Sequence, residues 1–117
     1  MESIRLETAT REAGGYTILV LRGEVDVYTA PQFREAIDKI LTPGQLHLIV
    51  DMSGISYIDS SGLGILLSAI KRVRPKGGTV NLVGCNSAID RVLRITNLNT
   101  VFNVVDTIDQ VFAAIKP

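Results

Sequence analysis

The chain has 117 residues, of which 46% are hydrophobic and 21% are charged. These proportions are typical of a globular domain and exclude a disordered or fibrous protein. Its 12 basic and 12 acidic residues balance, so no overall positive charge is present to attract nucleic acid or an anionic membrane surface. We therefore expect one domain over residues 1–117 that does not bind nucleic acid.

The single cysteine, Cys85, and the single histidine, His47, restrict the chemistry further. One cysteine cannot form an internal disulfide, and these two residues cannot form a zinc cluster, so we expect no metal site. The first residues lack the pattern of a secretory signal, and no apolar stretch approaches the roughly 20 residues of a membrane-spanning helix. These features predict a cytoplasmic protein that does not enter the membrane.

Apolar periodicity, capping patterns and glycine or proline breaks divide the chain into alternating elements. The predicted elements are strand 4–9, strand 16–21, helix 29–41, strand 46–50, helix 60–74, strand 79–83, a short helix after Asn86, strand 101–105 and a helix from Thr107. Residues 52–58 are predicted as a connection. This order predicts an α/β fold with an amino-terminal β-hairpin and a mixed, mostly parallel sheet of about five strands with about four helices.

A short acidic motif, Gly23-Glu24-Val25-Asp26, follows the second predicted strand. Charged residues in loops usually stay in solvent, so a solvated surface loop is the simplest interpretation. Loops at the carboxyl ends of parallel strands also build binding sites. Both interpretations of Glu24 and Asp26 remain open on the residues alone.

A pair of serines, Ser60 and Ser61, lies where an apolar segment meets the start of an amphipathic helix. A serine there commonly accepts a hydrogen bond from an unpaired backbone N–H, so a capping role is one interpretation. Gly62 and Gly64 follow and remove side-chain bulk, so another protein could approach the hydroxyls closely. Capping, catalysis and modification are therefore the three alternatives for these serines.

Catalysis is the weakest of the three. The nucleophile elbow of an α/β-hydrolase requires a glycine two positions before the serine, and Ile58 stands there before Ser60. A general base is also required, and a lone histidine within a strand, His47, is expected to be structural. A dinucleotide fingerprint is incomplete because Leu67 occupies the place of its third glycine. We expect no enzymatic activity, no catalytic residue and no cofactor.

Phosphorylation fits a hydroxyl in this position. A phosphoserine carries about −1.5 to −2 charges, and the positive end of the helix favours a negative charge by about 0.3–1 kcal/mol, so the fold is expected to survive the modification. Asp59 adds negative charge, and no lysine or arginine lies within several residues along the sequence. A phosphate here should therefore repel an acidic or closely packed partner.

Three motifs resemble those of one protein family. The stretch from Ile58 to Gly64, IDSSGLG, resembles the family's phosphorylation motif, and residues 23–26, GEVD, resemble the motif after its second strand. Residues 50–53, VDMS, are also similar. With these motifs, the chain resembles over nearly its whole length the bacterial anti-sigma-factor antagonists, which are single STAS domains regulated by serine phosphorylation.

The resemblance implies a switch between two partners. In that family the first serine of the pair accepts phosphate from a cognate anti-sigma factor, which is a serine kinase, and a PP2C-type phosphatase removes it. Ser60 is the implied acceptor, and ATP is implied only as a ligand of the kinase. The unphosphorylated chain would bind the anti-sigma factor and free the sigma factor, and phosphate would release it. The implied partner-binding residues are Glu24, Asp26, Asp59, Ser60, Ser61, Gly62, Leu63 and Gly64.

The same class of domain also occurs as scaffold subunits of stress-signalling assemblies and as small partners of lipid transporters. A scaffold or regulatory subunit is therefore the alternative function. The lack of a long amino-terminal extension or membrane spans favours a free-standing antagonist, which we expect to be a monomer or a weak dimer.

Overall fold

The computed structural model describes residues 5–115 and contains a five-stranded sheet in the order β1-β2-β3-β4-β5. Its elements are β1 (Leu6–Ala13), β2 (Tyr16–Val25), α1 (Ala30–Ile40), β3 (His47–Ile58), α2 (Ser60–Val73), β4 (Thr79–Val83), α3 (Ser87–Ile95), β5 (Asn103–Val105) and α4 (Ile108–Ile115). Short 3₁₀ turns, Arg74–Lys76 and Leu98–Thr100, follow α2 and α3. The predicted alternation of strands and helices is confirmed.

The sheet is mixed, as predicted. β1 and β2 pair antiparallel through a two-residue turn, in which Gly14 and Gly15 take φ angles of 59° and 83° that suit glycine. β2, β3, β4 and β5 pair in parallel, and helices connect them. The carboxyl ends of these four strands therefore lie along one edge of the sheet, where α/β folds place their binding sites.

Helices cover the two faces of the sheet unequally. α1, α2 and α3 pack on one face around a large core that contains Phe33, Leu66 and Leu93. α4 packs on the other face, where Val111 and Ile115 join a smaller cluster. Both faces of the central strands are thus buried, which explains their continuous apolar sequences.

β3 is much longer than the sequence pattern predicted, so the prediction of residues 52–58 as a connection was wrong. This segment pairs with β2, with Gly54 opposite Arg22 and Ile58 opposite Val25. Register shifts between the two strands space the buried residues Met52, Ile55 and Ile58 three apart instead of two. That spacing conceals a strand from any search for a period of two. β3 therefore leads directly into α2.

The outer strands differ from their predicted bounds by a few residues. β1 continues to Ala13, whereas the predicted strand ended at residue 9 and began at Ile4, which lies outside the described residues. β5 begins at Asn103, after the 3₁₀ turn, and not at residue 101. Helix termini and short edge strands have the weakest patterns, so errors of this size are expected there.

Two helix starts carried the sequence pattern of a capping box, and only one forms it. In α4, the Thr107 hydroxyl accepts from the Gln110 N–H at 3.4 Å, and the Gln110 side-chain oxygen accepts from the Thr107 N–H at 3.0 Å. Before α1, Thr29 instead donates to the Glu24 carbonyl at 2.9 Å. Gln32 turns outward and donates to the Leu6 carbonyl at 3.0 Å. Thr29 and Gln32 thus tie α1 to the hairpin.

Candidate functional site

Two loops lie side by side at the carboxyl ends of β2 and β3. Val25 is opposite Ile58 in the parallel register, and the Asp59 N–H donates to the Val25 carbonyl at 3.0 Å. The motifs at residues 23–26 and 58–64 are thereby brought together, although they are far apart in the sequence. The first motif was expected to follow its strand, but β2 extends through Val25, so only Asp26 lies beyond it. We use the name two-loop surface for residues 26–28 of the loop after β2 together with Asp59 and the start of α2, residues 60–64.

Asp59 caps α2. One oxygen of its carboxylate accepts from the backbone N–H of Ser61 at 2.8 Å and of Gly62 at 3.3 Å. The interpretation of the serines as the helix cap was therefore wrong. Within residues 5–115, no hydrogen bond joins the hydroxyl of Ser60 or Ser61 to another group. Ser60 is the first residue of the helix and is exposed, whereas Ser61 is half-buried.

The two glycines after the serines have different roles. A Cβ atom on Gly62 would lie 2.6 Å from Cγ1 of Ile58 and 2.7 Å from Cγ1 of Val25, so the core leaves no room for one. Gly64 is exposed, and a Cβ atom there would meet nothing within 4 Å. Leu63, between them, is half-buried and packs against the larger core. The core therefore requires a glycine at position 62, whereas the glycine at position 64 leaves the exposed side of α2 without a side chain that could obstruct a partner.

Asp26 organises the loop between β2 and α1. Its carboxylate accepts from the backbone N–H of Thr29 at 3.0 Å and of Tyr28 at 2.9 Å, and it lies 3.4 Å from the guanidinium of Arg5. The hydrogen bond from the Thr29 N–H is the largest of the interactions that hold the pKa of Asp26 below its ordinary value. The other hydrogen bonds and the positive charge of Arg5 lower the pKa further. With 17% of its side chain exposed, Asp26 mainly fixes the loop backbone.

Three large apolar side chains are exposed around this surface. Val27 is 61% exposed, Tyr28 is 78% exposed, and Tyr57, near the end of β3, is 51% exposed. The sequence analysis did not identify any of the three as exposed. The available signal was the pair Val27-Tyr28, two apolar residues in the short loop between Asp26 and the start of α1. Exposed apolar groups gathered beside polar loops are typical of protein interaction surfaces.

A groove of about 530 Å³ runs between α1 and α2 beside the serines. Its lining includes Ser61, Val27, Ile65 and three charged side chains of α1, Arg34, Glu35 and Asp38. The sequence placed no cation near the serines, but the fold brings Arg34 to the groove that Ser61 faces. Ser60 is not part of the groove lining, so the two serines have different surroundings.

The remaining candidate residues lie elsewhere. Glu24 is exposed on β2, opposite Tyr57. His47 begins β3 at the opposite end of the strand from the serines, with its Nδ1 2.8 Å from the Thr79 hydroxyl, and burial lowers its pKa. Burial also raises the pKa of the Cys85 thiol to about 11, which keeps the thiol protonated.

Residues 5–115 contain no group of three histidine, cysteine, aspartate or glutamate side chains that could hold a metal ion. In the same range, none of the helices has the length and apolar character needed to cross a bilayer.

The structure has the two features expected of the domain class that the motifs resemble. They are a mixed sheet that begins with a hairpin and an exposed hydroxyl at the start of α2. The family model for the STAS domain matches residues 7–111, and the chain belongs to this family. The anti-sigma-B factor antagonist of Listeria monocytogenes is 31% identical over 102 residues, which cover 87% of this chain and 89% of that protein. The resemblance to the anti-sigma-factor antagonists is thus confirmed.

Solved structures agree with this assignment. An anti-sigma factor antagonist from Mycobacterium paratuberculosis superposes with a TM-score of 0.84 at 25% identity, over 96% of this chain and 95% of that one. The unphosphorylated form of the anti-sigma factor antagonist SpoIIAA gives a TM-score of 0.76 at 19% identity, over 94% and 96% of the two chains, and shows that the fold is shared.

Proposed function

We propose that this chain is an anti-sigma-factor antagonist whose binding is switched by phosphate on Ser60. The unphosphorylated chain binds a cognate anti-sigma factor, which is also its serine kinase, and so frees the sigma factor. Phosphorylation releases the chain, and a PP2C-type phosphatase resets it. ATP is a ligand of the kinase, and this chain acts as a cytoplasmic single-domain substrate without catalytic residues of its own.

The observation that carries this proposal is the free hydroxyl of Ser60 at a helix start that is already capped. Because Asp59 supplies the cap, the fold does not need the Ser60 side chain. A phosphate there leaves the cap in place, and the helix N-terminus favours its charge by about 0.3–1 kcal/mol. The modification can therefore change the surface and leave the core intact.

The surroundings of Ser60 explain how a phosphate would release a partner. Val27, Tyr28 and Tyr57 present exposed apolar area near the site, which a partner would cover. A phosphate brings about −1.5 to −2 charges, and burying that charge against an apolar contact without a counter-ion is costly. The chain that carries phosphate on Ser60 therefore no longer forms a stable complex with the kinase that modified it.

The same geometry favours Ser60 over Ser61 as the acceptor. A kinase must bring the γ-phosphate of ATP into line with the hydroxyl, which requires open access. Ser60 is exposed, while Ser61 is half-buried and turned toward the groove beside α1. We assign Ser61, Leu63 and Gly64 to the contact surface around the acceptor, whereas Gly62, which the sequence also suggested as a contact, is buried beneath that surface.

Phosphorylation is tested by incubating the chain with ATP and the cognate kinase and locating the phosphate by mass spectrometry. We expect phosphate on Ser60, no labelling of Ser60→Ala, and labelling of Ser61→Ala. Labelling that persists in Ser60→Ala would refute the assignment.

Release is tested by calorimetric titration of the kinase with Ser60→Asp. The matched control is Ser87→Asp, because Ser87 is also an exposed first residue of a helix, and its preceding residue, Asn86, caps that helix through a bond of 2.8 Å to the Ile89 N–H. We expect Ser60→Asp to weaken binding at least about tenfold and Ser87→Asp to bind like the unmodified chain. Equal affinities for the two variants would contradict the switch.

A further inference from the structure

β1 is a long and regular edge strand of the sheet. It has 8 residues, pairs among residues 5–115 with β2 alone, and keeps an unbroken register from Leu6 to Ala13. The other edge strand, β5, has only 3 residues. Proteins usually blunt an edge by making it short, by placing a proline or a bulge in it, or by adding charged side chains, and of these features β1 has only the charges of Glu7, Arg11 and Glu12.

The register shows which backbone groups of β1 face outward. The Glu24 N–H donates to the Arg5 carbonyl at 2.7 Å, so the odd-numbered residues of the strand direct their hydrogen-bonding groups toward β2. Those of Thr8, Thr10 and Glu12 therefore point away from the sheet. A groove of about 410 Å³, which Thr8 and Thr10 help to line, leaves space beside them on the α1 side.

The charges on the face of β1 away from α1 are complementary to those of a second copy. Glu7 and Arg11 are exposed, and neither forms an ion pair within residues 5–115. Across β2, Glu7 is opposite Arg22, whereas Arg11 is opposite Ile18 and has no acidic neighbour on that strand. An antiparallel copy of β1 would supply a glutamate to Arg11.

We propose that β1 pairs antiparallel with β1 of a second copy about a two-fold axis at Ala9. This register places Glu7 opposite Arg11 of the second copy, and the symmetry forms the pair twice. It also places Thr8 opposite Thr10, so that their outward N–H and C=O groups exchange hydrogen bonds. Opposite charges and threonine pairs in these positions both stabilise antiparallel strands.

Neighbouring registers lose this complementarity. With the axis at Thr8, Arg5 would oppose Arg11 of the second copy, which places like charges together. With the axis at Thr10, Arg11 would oppose Ala9, and Glu7 would oppose Ala13. Only the axis at Ala9 uses both charges. The pairing needs no residue of the two-loop surface, so it goes beyond the proposed function and does not depend on it.

Cysteine cross-linking tests the register. At the axis, Ala9 would face its own copy in a non-hydrogen-bonded pair, where the Cα atoms are about 4.5 Å apart, within reach of a disulfide. In a Cys85→Ser background, we expect Ala9→Cys to form a covalent dimer on mild oxidation. The matched control, Thr10→Cys, would face Thr8 instead and should form at least about tenfold less dimer. Equal cross-linking of the two variants, or none, would overturn the proposal.

Sedimentation equilibrium tests the charges. We expect Arg11→Glu to weaken self-association roughly tenfold, because it puts two pairs of glutamates in opposition. Exchanging both charges, in Glu7→Arg with Arg11→Glu, should restore the association, with circular dichroism verifying that each variant is folded. Failure of the exchange to restore it, or an unmodified chain that is still monomeric at about 1 mM, would refute the pairing.

Discussion

The two loops at the carboxyl ends of β2 and β3 use the same device. In each, an aspartate that ends the strand accepts the backbone N–H groups two and three residues ahead: Asp26 from Tyr28 and Thr29, and Asp59 from Ser61 and Gly62. Both carboxylates thereby fix the path of the chain into a helix. Neither aspartate needs to touch a partner for its substitution to weaken binding.

The two loops differ in the side chains that they expose to solvent. The first presents the apolar side chains of Val27 and Tyr28, which offer contact area and cannot be modified reversibly by a serine kinase. The second presents the hydroxyl of Ser60, which offers little area but can accept a charge. Under the proposed function, the first loop would contribute affinity and the second would contribute control.

The largest effect on stability is expected from Gly62 in the first turn of α2, just after the second loop. An added Cβ atom would overlap Ile58 and Val25, so Gly62→Ala should lower the free energy of unfolding by about 1–3 kcal/mol. Gly64→Ala is the matched control. It adds the same methyl group to the exposed side of the same helix, where nothing lies within 4 Å, and should raise stability by up to about 1 kcal/mol.

Urea denaturation of both variants measures this difference. Equal stabilities would show that the core near Val25 adapts to a methyl group and that Gly62 is not required for packing. Kinase binding adds a second measurement, because Gly64→Ala should bind less tightly although its fold is as stable as that of the unmodified chain.

A smaller loss is expected when the cap of the second loop is removed. Asp59→Ala leaves the N–H groups of Ser61 and Gly62 without their acceptor, which should cost about 0.5–2 kcal/mol of unfolding free energy. Asp59→Asn should keep most of the stability, since its carbonyl oxygen can accept the same bonds. If the alanine variant matched the asparagine variant in thermal denaturation, the capping role would be refuted.

The first loop should respond to acid. The pKa of Asp26 in the folded protein lies below its ordinary value of 3.8, so ionised Asp26 stabilises the fold above that pH, and the contribution disappears as the pH falls through the lowered pKa. Asp26→Asn should therefore lower the melting temperature near neutral pH, and the difference should shrink below about pH 4. A difference that stays constant with pH would contradict this role of the charge.

Much of the fold was predictable because strong periodic patterns specify it. The apolar segments of β2, β3 and β4, the amphipathic stripe of α2 and the break at Gly14-Gly15 each follow from a local rule, and all agree with the parallel order. The second half of β3 was not predictable, because its buried residues are spaced three apart at register shifts that depend on β2.

The site was predictable to a similar degree. Its location followed from the two sequence motifs and the rule for parallel sheets. The capping by Asp59 and the approach of Arg34 to the groove beside Ser61 depend on backbone angles and helix packing. Sequence distance could not show the approach of Arg34, because Arg34 and Ser61 belong to different helices. The cap was missed for another reason: Asp59, Ser60 and Ser61 are all common capping residues, and only the backbone angles at the start of α2 select Asp59.

The smallest effect on stability is expected from substitution of Ser60 itself. This substitution tests most directly whether one loop contributes affinity and the other contributes control. Ser60→Ala removes a hydroxyl that is exposed and has no hydrogen-bond partner within residues 5–115, so the free energy of unfolding should stay within about 0.5 kcal/mol. Calorimetry should also find the kinase bound with nearly unchanged affinity, because Val27 and Tyr28 remain. What the variant should lose is release when ATP is added. A stable Ser60→Ala that binds poorly would instead make the hydroxyl a contact group, and the second loop would then contribute affinity as well as control.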